Sequence, residues 1–304
     1  MELSIVTTIY NDAGIVPVLV EKIREAVLPL GIDYEVILVN DCSPDTSEQA
    51  IIAVCNSYPE VKGITLSRNY GQQIAMSAGM REAKGNYVVI LDGDLQNPPD
   101  KIPELYSKIK EGYDLVYTVG TARNGWRDEM SSKLFWWILA KMFKVKVVPY
   151  QLMMKIMTRN FLDRFNTYNE QSRTIAGIVN DIGLNYTVVE VQNHKRLTGK
   201  SNYNFIKRFN LMIDVIISFS NAPLNIMIHF GWIIFTLTSL TAFYQLYLYI
   251  SDSIPAGYTS LILSIFFFGS LNILMLGFIG RYLANIYAEV KNRPLYAIRK
   301  TYNL

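Results

Sequence analysis

At 304 residues, half of them hydrophobic, the chain has ample material for a sizeable core, while its charged fraction of 18% lies below the roughly 25% of an average soluble protein. A formal charge of only +3, with no basic run interleaved with aromatics, excludes a nucleic-acid surface. The apolar excess is concentrated in the last third, which points to a membrane.

The chain opens directly on a strand-like run, with no basic n-region, long apolar h-region or small-residue cleavage site, so the first domain is expected to stay in the cytoplasm. The two cysteines, Cys42 and Cys55, have neither CxxC spacing nor companion histidines and read as reduced residues. Short apolar runs, mostly rich in Val and Ile, predict strands over 3–9, 35–39, 61–66, 87–91 and 114–118. Amphipathic patterns predict helices between them, over about 16–28, 46–58, 72–83 and 102–111. This alternation predicts an α/β fold with a doubly wound, mainly parallel sheet. Ligands of such sheets sit beyond the carboxyl ends of the strands, which brings Tyr10, Asn11 and Asp12, then Asn40 and Asp41, then Ser67, Arg68 and Asn69, then Asp92, Gly93 and Asp94 to one edge.

Next comes an aromatic, basic amphipathic stretch over 131–143, with Trp136 and Trp137 beside Lys133, Lys141 and Lys144. It reads equally as a helix on a membrane surface and as one packed on the sheet. A second amphipathic stretch, 203–222, is the better interfacial helix. Two uncharged apolar segments follow at about 226–250 and 260–280, each long enough to cross a bilayer. Lys207 and Arg208 precede the pair and Arg281, Lys291, Arg293, Arg299 and Lys300 follow it, whereas the connection between them carries Asp252 and no Lys or Arg. The positive-inside rule makes residues 223–285 a two-helix transmembrane hairpin with both ends cytoplasmic, and 286–304 a basic cytosolic tail. Two buried helices of a soluble protein is the other reading. Gly269, Ser270, Gly277 and Gly280 permit close helix approach, and so a homo-oligomer.

The segment YVVILDGDLQNPP carries the most chemistry. A buried strand ends in Asp92 and Asp94, spaced to point into one crevice, with Gly93 permitting close approach of a ligand. A hard divalent cation held by these carboxylates and completed by diphosphate oxygens suits the pair, and would neutralise charge on a nucleoside-diphosphate leaving group. Alone, two such acids also read as turn or helix-capping residues. Their position after the fourth strand favours the functional reading.

The runs IVTTIYND, EVILVNDCSPDTS and RNYGQQIAMSAGMREAKGNYVVILDGDLQNPPDKIPEL together resemble the inverting family-2 glycosyltransferases of GT-A (Rossmann-like) fold, and among them the polyprenyl-phosphate glycosyltransferases. The resemblance implies a catalytic domain over 1–202, a nucleotide-sugar donor linked to UDP, a Mg2+ or Mn2+ ion, and a polyprenyl phosphate acceptor at the inner (cytoplasmic) membrane. It assigns Tyr10, Asn11 and Asp12 to the nucleotide, Asp41 to the base, and Arg68 to the RNxG segment. Asp92 and Asp94 become the first and the metal-binding aspartates of the DxD motif, with Gln96 near metal and phosphates. The run HKRLTGKSNY resembles the family's RxxGxSKY, which places Arg196 and Ser201 by the acceptor phosphate, and Arg123 and Arg127 fall where the subgroup has arginines for the lipid phosphate. A solvated surface role suits Arg127 as well.

Three departures stand out: Asn40 replaces the first of two aspartates, Thr8 a frequent proline, and VPYQLMMKIMTR an acidic, glycine-containing stretch followed by FRL, with Lys155 at that arginine. No general base is assigned there. A lipid phosphate, already anionic at neutral pH, needs none, whereas a sugar hydroxyl requires one. The expected activity is therefore sugar transfer to a polyprenyl phosphate. The alternatives are transfer to a hydroxyl of a lipid-linked glycan or glycolipid, and a non-catalytic membrane subunit.

Overall fold

The computed structural model describes residues 1–95, 97–120, 148, 151–170, 175–182, 185–191 and 258–304, with isolated positions between 229 and 247. The chain divides into two units, one joining Met1–Trp136, Lys146–Phe205 and Arg293–Leu304, the other Trp137–Val145 and Ile206–Asn292.

In the first unit, β1 (Leu3–Ile9) and β2 (Tyr34–Asn40) are buried on both faces, as central parallel strands are. With β3 (Val61–Leu66) and β4 (Tyr87–Asp92) they form a parallel set in the order β4, β1, β2, β3. Beyond β4 the sheet continues through β6 (Gln151–Thr158), β5 (Leu115–Gly120) and β7 (Tyr186–Val191). β6 runs against both β4 and β5, so β5 and β7 run with β1. At the other edge β8 (Ile298–Tyr302) pairs antiparallel with β3. The sheet is thus mixed, its parallel strands broken by β6 and closed by β8.

Successive side chains of each strand point to opposite faces, and both faces are covered. Leu3, Ile5, Val36, Leu38, Val89 and Leu91 pack under α1 (Ile15–Val27), α2 (Ser47–Ser57) and α4 (Ile102–Ile109). Val6, Ile37, Val39, Val88 and Ile90 pack under α3 (Gln72–Glu82), α5 (Arg159–Thr167) and α6 (Ile175–Ile182). In α1 the buried residues Val16, Leu19, Val20, Ile23 and Val27 form the single stripe expected of a helix lying on a sheet. At the end of the sheet away from the site, the wholly buried Glu35 accepts from Lys62 Nζ, Ser4 Oγ and the Lys84 amide, each at 2.6 Å. Burial pushes this carboxyl up, but those three partners outweigh it and hold it below its ordinary value.

The second unit contains α7 (Tyr258–Val290), a 33-residue helix whose stretch from Phe267 to Val290 is long and apolar enough to cross a membrane, with a mean hydropathy of 1.4. Leu261, Ile265, Ile273, Leu276 and Leu283 are all exposed on it. α7 contains the second of the two expected spans and continues past it to Val290. The first, 226–250, is described only at scattered helical positions, so the hairpin as such lies outside the described residues. One expectation needs correcting: 286–304 is not simply a tail, because it holds the end of α7 and then β8. The charged segment IRKTY pairs because it finds the otherwise bare edge of β3, a partner no local pattern reveals.

Candidate active site

The carboxyl ends of β1, β2 and β4, with the start of α3, enclose a cleft of about 380 Å3. Among the residues lining it are Tyr10, Asp12, Asp41, Asn69, Gln72, Asp92, Gly93 and Asp94. The topology explains the convergence: parallel neighbours end together, and the register pairs Thr8 with Asp92 and Ile9 with Asn40.

Asp41 leaves β2 almost fully buried. Its amide donates to the Ile9 carbonyl at 3.1 Å, which ties the ends of β1 and β2 together. Its two carboxylate oxygens accept the backbone N–H groups of Tyr70 and Gly71, both at 2.8 Å. Gly71 sits at φ 89°, a conformation only glycine adopts cheaply, and this turns the chain into α3. Burial raises the Asp41 carboxyl above its ordinary value and the two N–H donors partly restrain it. Around it, the Asn11 amide donates to Ser43 Oγ at 3.1 Å and the Ser43 amide to Asn40 Oδ1 at 2.9 Å. Asn11 and Cys42, at φ 56° and 53°, let the two loops interlock.

Asp92 ends β4 with both oxygens engaged by neutral amides, Oδ1 by Gln72 Nε2 and Oδ2 by Asn97 Nδ2 at 3.1 Å. Gly93 follows because a Cβ there would lie 2.6 Å from the Thr8 carbonyl. Lys155 of β6 stands opposite Ile90 and Tyr117 with 2% of its surface exposed. Its Nζ lies 5.4 Å from the Tyr117 ring centroid. Burial pulls this amine down to about 8, against the opposing pull of the Asp92 charge. Lys155 is thus a buried amine whose charge is opposed by burial and favoured by that of Asp92.

The residues fit a hard divalent cation. Asp92 and Asp94 face one cleft and offer it carboxylate oxygens. Among the described residues no group of three or more His, Cys, Asp or Glu forms a complete cage, so substrate oxygens or water would have to complete the shell.

Of the residues singled out in the sequence, Tyr10, Asp12, Asp41, Asp92 and Asp94 come together in the cleft. Asn11 acts through its backbone in the loop behind it. Arg68 is not among the lining residues; its guanidinium stacks 4.6 Å from the centroid of the Tyr70 ring. Gln96, Arg123, Arg127, Arg196 and Ser201 lie outside the described residues. Gln72, Asn97 and the placement of Lys155 were missed. Gln72 and Asn97 do sit beside quoted motifs, but only the register of β6 on β4 shows what Lys155 stands opposite.

Residues 4–178 match the family model described as glycosyl transferase family 2. An uncharacterised glycosyltransferase of Synechocystis is 36% identical, across 100% of this chain and 96% of that protein. A bactoprenol glucosyl transferase of prophage origin in Shigella flexneri is 30% identical, covering 99% of each chain. An undecaprenyl-phosphate 4-deoxy-4-formamido-L-arabinose transferase of Aeromonas hydrophila is 32% identical over 98% of this chain and 93% of the other. The fold is similar to that of a mannosyltransferase from Pyrobaculum calidifontis solved with GDP-Man and Mn2+, with a TM-score of 0.52 at 16% identity, over 96% of this chain and 86% of that one.

Proposed function

The chain belongs to glycosyl transferase family 2 and is a glycosyltransferase, and we propose that it moves a sugar from a nucleotide-sugar to a polyprenyl phosphate at the membrane. The observation that carries this reading is that the buried carboxylate of Asp41 and the pair Asp92 and Asp94 line one cleft. Asp41 suits a base that donates N–H groups, as uracil and guanine do, and the aspartate pair a diphosphate with its cation. The acceptor class is supported by relatives of matching length that are named for bactoprenol and undecaprenyl phosphate.

In this mechanism Asp41 accepts from the base and Asp92, held by Gln72 and Asn97, is oriented before substrate arrives. Mg2+ or Mn2+ bound by Asp94 and Asp92 would neutralise charge on the leaving diphosphate. The acceptor phosphate oxygen attacks the anomeric carbon opposite the departing nucleotide; the new C–O bond forms as the old one breaks, and the configuration inverts. Because the acceptor is already an anion, no side chain has to take a proton. Tyr10, Asn11, Asp12, Arg68 and Gln96 complete the donor side, and Arg123, Arg127, Arg196 and Ser201 orient the acceptor phosphate. The exposed apolar surface of α7 supports a membrane anchor, with 223–285 as a hairpin, 203–222 at the interface and the catalytic unit in the cytoplasm at the inner membrane. Its glycines leave room for association between copies.

The purified protein, given radiolabelled nucleotide-sugars one at a time with undecaprenyl phosphate, is expected to label a monophosphate lipid with at least one UDP-sugar. Transfer to glycan or glycolipid hydroxyls without any labelled monophosphate lipid would overturn the acceptor assignment.

A further inference from the structure

β8 reaches beyond the sheet edge into the loop that holds Asp41. Its pairing with β3 runs from Gly63 and Tyr302 to Leu66 and Ile298, with an irregularity between Thr65 and Leu66. It does not stop there: the Ser67 amide donates to the Ala297 carbonyl at 2.9 Å. Within the loop, Ser67 Oγ meets the Tyr70 hydroxyl at 3.1 Å. The amide of that same Tyr70, with that of Gly71, is what the carboxylate of Asp41 receives. Loop 67–71 is therefore tied at its start to the C-terminal segment and at its end to the donor carboxylate.

The C-terminal segment has its own anchors in this unit. Arg299 Nη2 and the Tyr302 hydroxyl both reach Glu48, at 2.6 and 2.8 Å, in the first turn of α2. Asn303 Nδ2 donates to the carbonyls of Cys55 and Val61. The Tyr302 ring packs where Gly63 leaves space, since a Cβ there would lie 2.9 Å from it. α2 also follows Asp41 in the chain, so Glu48 joins the elements on both sides of the donor carboxylate.

We propose that β8 and Ala297 are a positioning element for the donor site, holding loop 67–71 so that the Tyr70 and Gly71 amides stay on Asp41. This rests on the reading of Asp41 as the acceptor for the nucleotide base. The strand that follows the apolar helix in sequence thereby acts on donor binding without touching the donor.

The test is Arg299→Ala combined with Tyr302→Phe in the full chain, with Arg299→Ala and Tyr70→Phe as milder single variants. Donor KM is expected to rise about threefold to tenfold in the double variant, the scale set by losing one exposed ion pair and one hydrogen bond. The kcat at saturating donor and the KM for undecaprenyl phosphate should stay at wild-type values. Arg299→Lys with Tyr302 intact should restore donor KM, and Tyr70→Phe should raise it in the same direction. Unchanged donor KM in folded variants, or a loss shared equally by kcat and both KM values, overturns the proposal. Calorimetric titration with UDP and then GDP separates the two levels. A wild type that binds neither, or Asp41→Asn binding as well as wild type, defeats the reading of Asp41. Binding that depends on Asp41 but is unaltered in the β8 variants defeats the strand's role alone.

Discussion

Replacing Asp41 by Asn probes the donor site at its most buried carboxylate. The wild-type side chain accepts two backbone N–H groups at 2.8 Å, and an amide has only one oxygen to offer. One donor, from Tyr70 or Gly71, then faces an NH2 group, and an unsatisfied buried donor costs about 1–3 kcal/mol. Removing a carboxylate whose burial opposes ionisation returns part of this. A net loss of about 1–2 kcal/mol corresponds to a drop in unfolding midpoint of roughly 2–8 °C for a unit of this size. Donor affinity should suffer more, since a hydrogen bond to a charged acceptor is worth about 1.5–3 kcal/mol, or roughly tenfold to 150-fold in Kd. Calorimetric titration with UDP and GDP at fixed metal measures the affinity and a thermal melt measures the stability. The pH dependence gives an independent reading. With the Asp41 carboxyl raised, wild-type donor affinity should fall as pH drops through that raised value, above the ordinary 3.8, and Asp41→Asn should lack this limb. The stability contribution of this group has the opposite sign: it is full below the unfolded value and is lost as pH rises through the folded one. Nucleotide binding within threefold of wild type in a folded Asp41→Asn protein would refute the assignment of the base.

Asp94→Asn should lower metal affinity or sugar transfer by at least about 10–100-fold, the cost of disturbing even the outer partners of a metal; equal activity at limiting Mn2+ would exclude Asp94 as a ligand. Lys155→Met conserves volume, so stability should change little. With the Lys155 charge that Asp92 feels removed, the half-saturating metal concentration should fall by about threefold to tenfold, and a rise would contradict the electrostatic argument. Glu35→Ala leaves the Lys62 amine and two further donors without their acceptor and should cost about 3–5 kcal/mol in urea unfolding. Because the folded Glu35 carboxyl is held below its ordinary value, its stabilisation is present above the unfolded value and is lost as pH falls through the folded one. An acid limb of stability that survives in the variant unchanged would assign that limb to other groups.

Much of this architecture was legible before any coordinates. The runs at 3–9 and 61–66 match β1 and β3 end to end, and the predicted helices fall within a few residues of α1 to α4. They were readable because a parallel strand buried on both faces must be continuously apolar and its crossover helix must be amphipathic, so the pattern lies within a short window. The polar residues following those runs marked the cleft for the same reason, as strand direction alone fixes which ends carry ligands.

What stayed hidden depends on partners distant in the chain. Nothing in IRKTY announces that it will pair with a strand more than two hundred residues earlier, because its exposed, charged side chains carry no burial pattern. Lys155 stood out only as a departure at an arginine position until β6, inserted antiparallel beside β4, seated it opposite Ile90 in the core. The amino-acid order by itself determined the strands, the helices and the carboxylates at their ends, since those follow from local periodicity. Only the tertiary structure decided that each Asp41 oxygen accepts one amide, from Tyr70 or Gly71, that Gln72 and Asn97 fix Asp92, and that the chain before the last strand is bonded to loop 67–71. Each of those rests on a hydrogen bond between segments brought together by the sheet, and sequence proximity does not encode it.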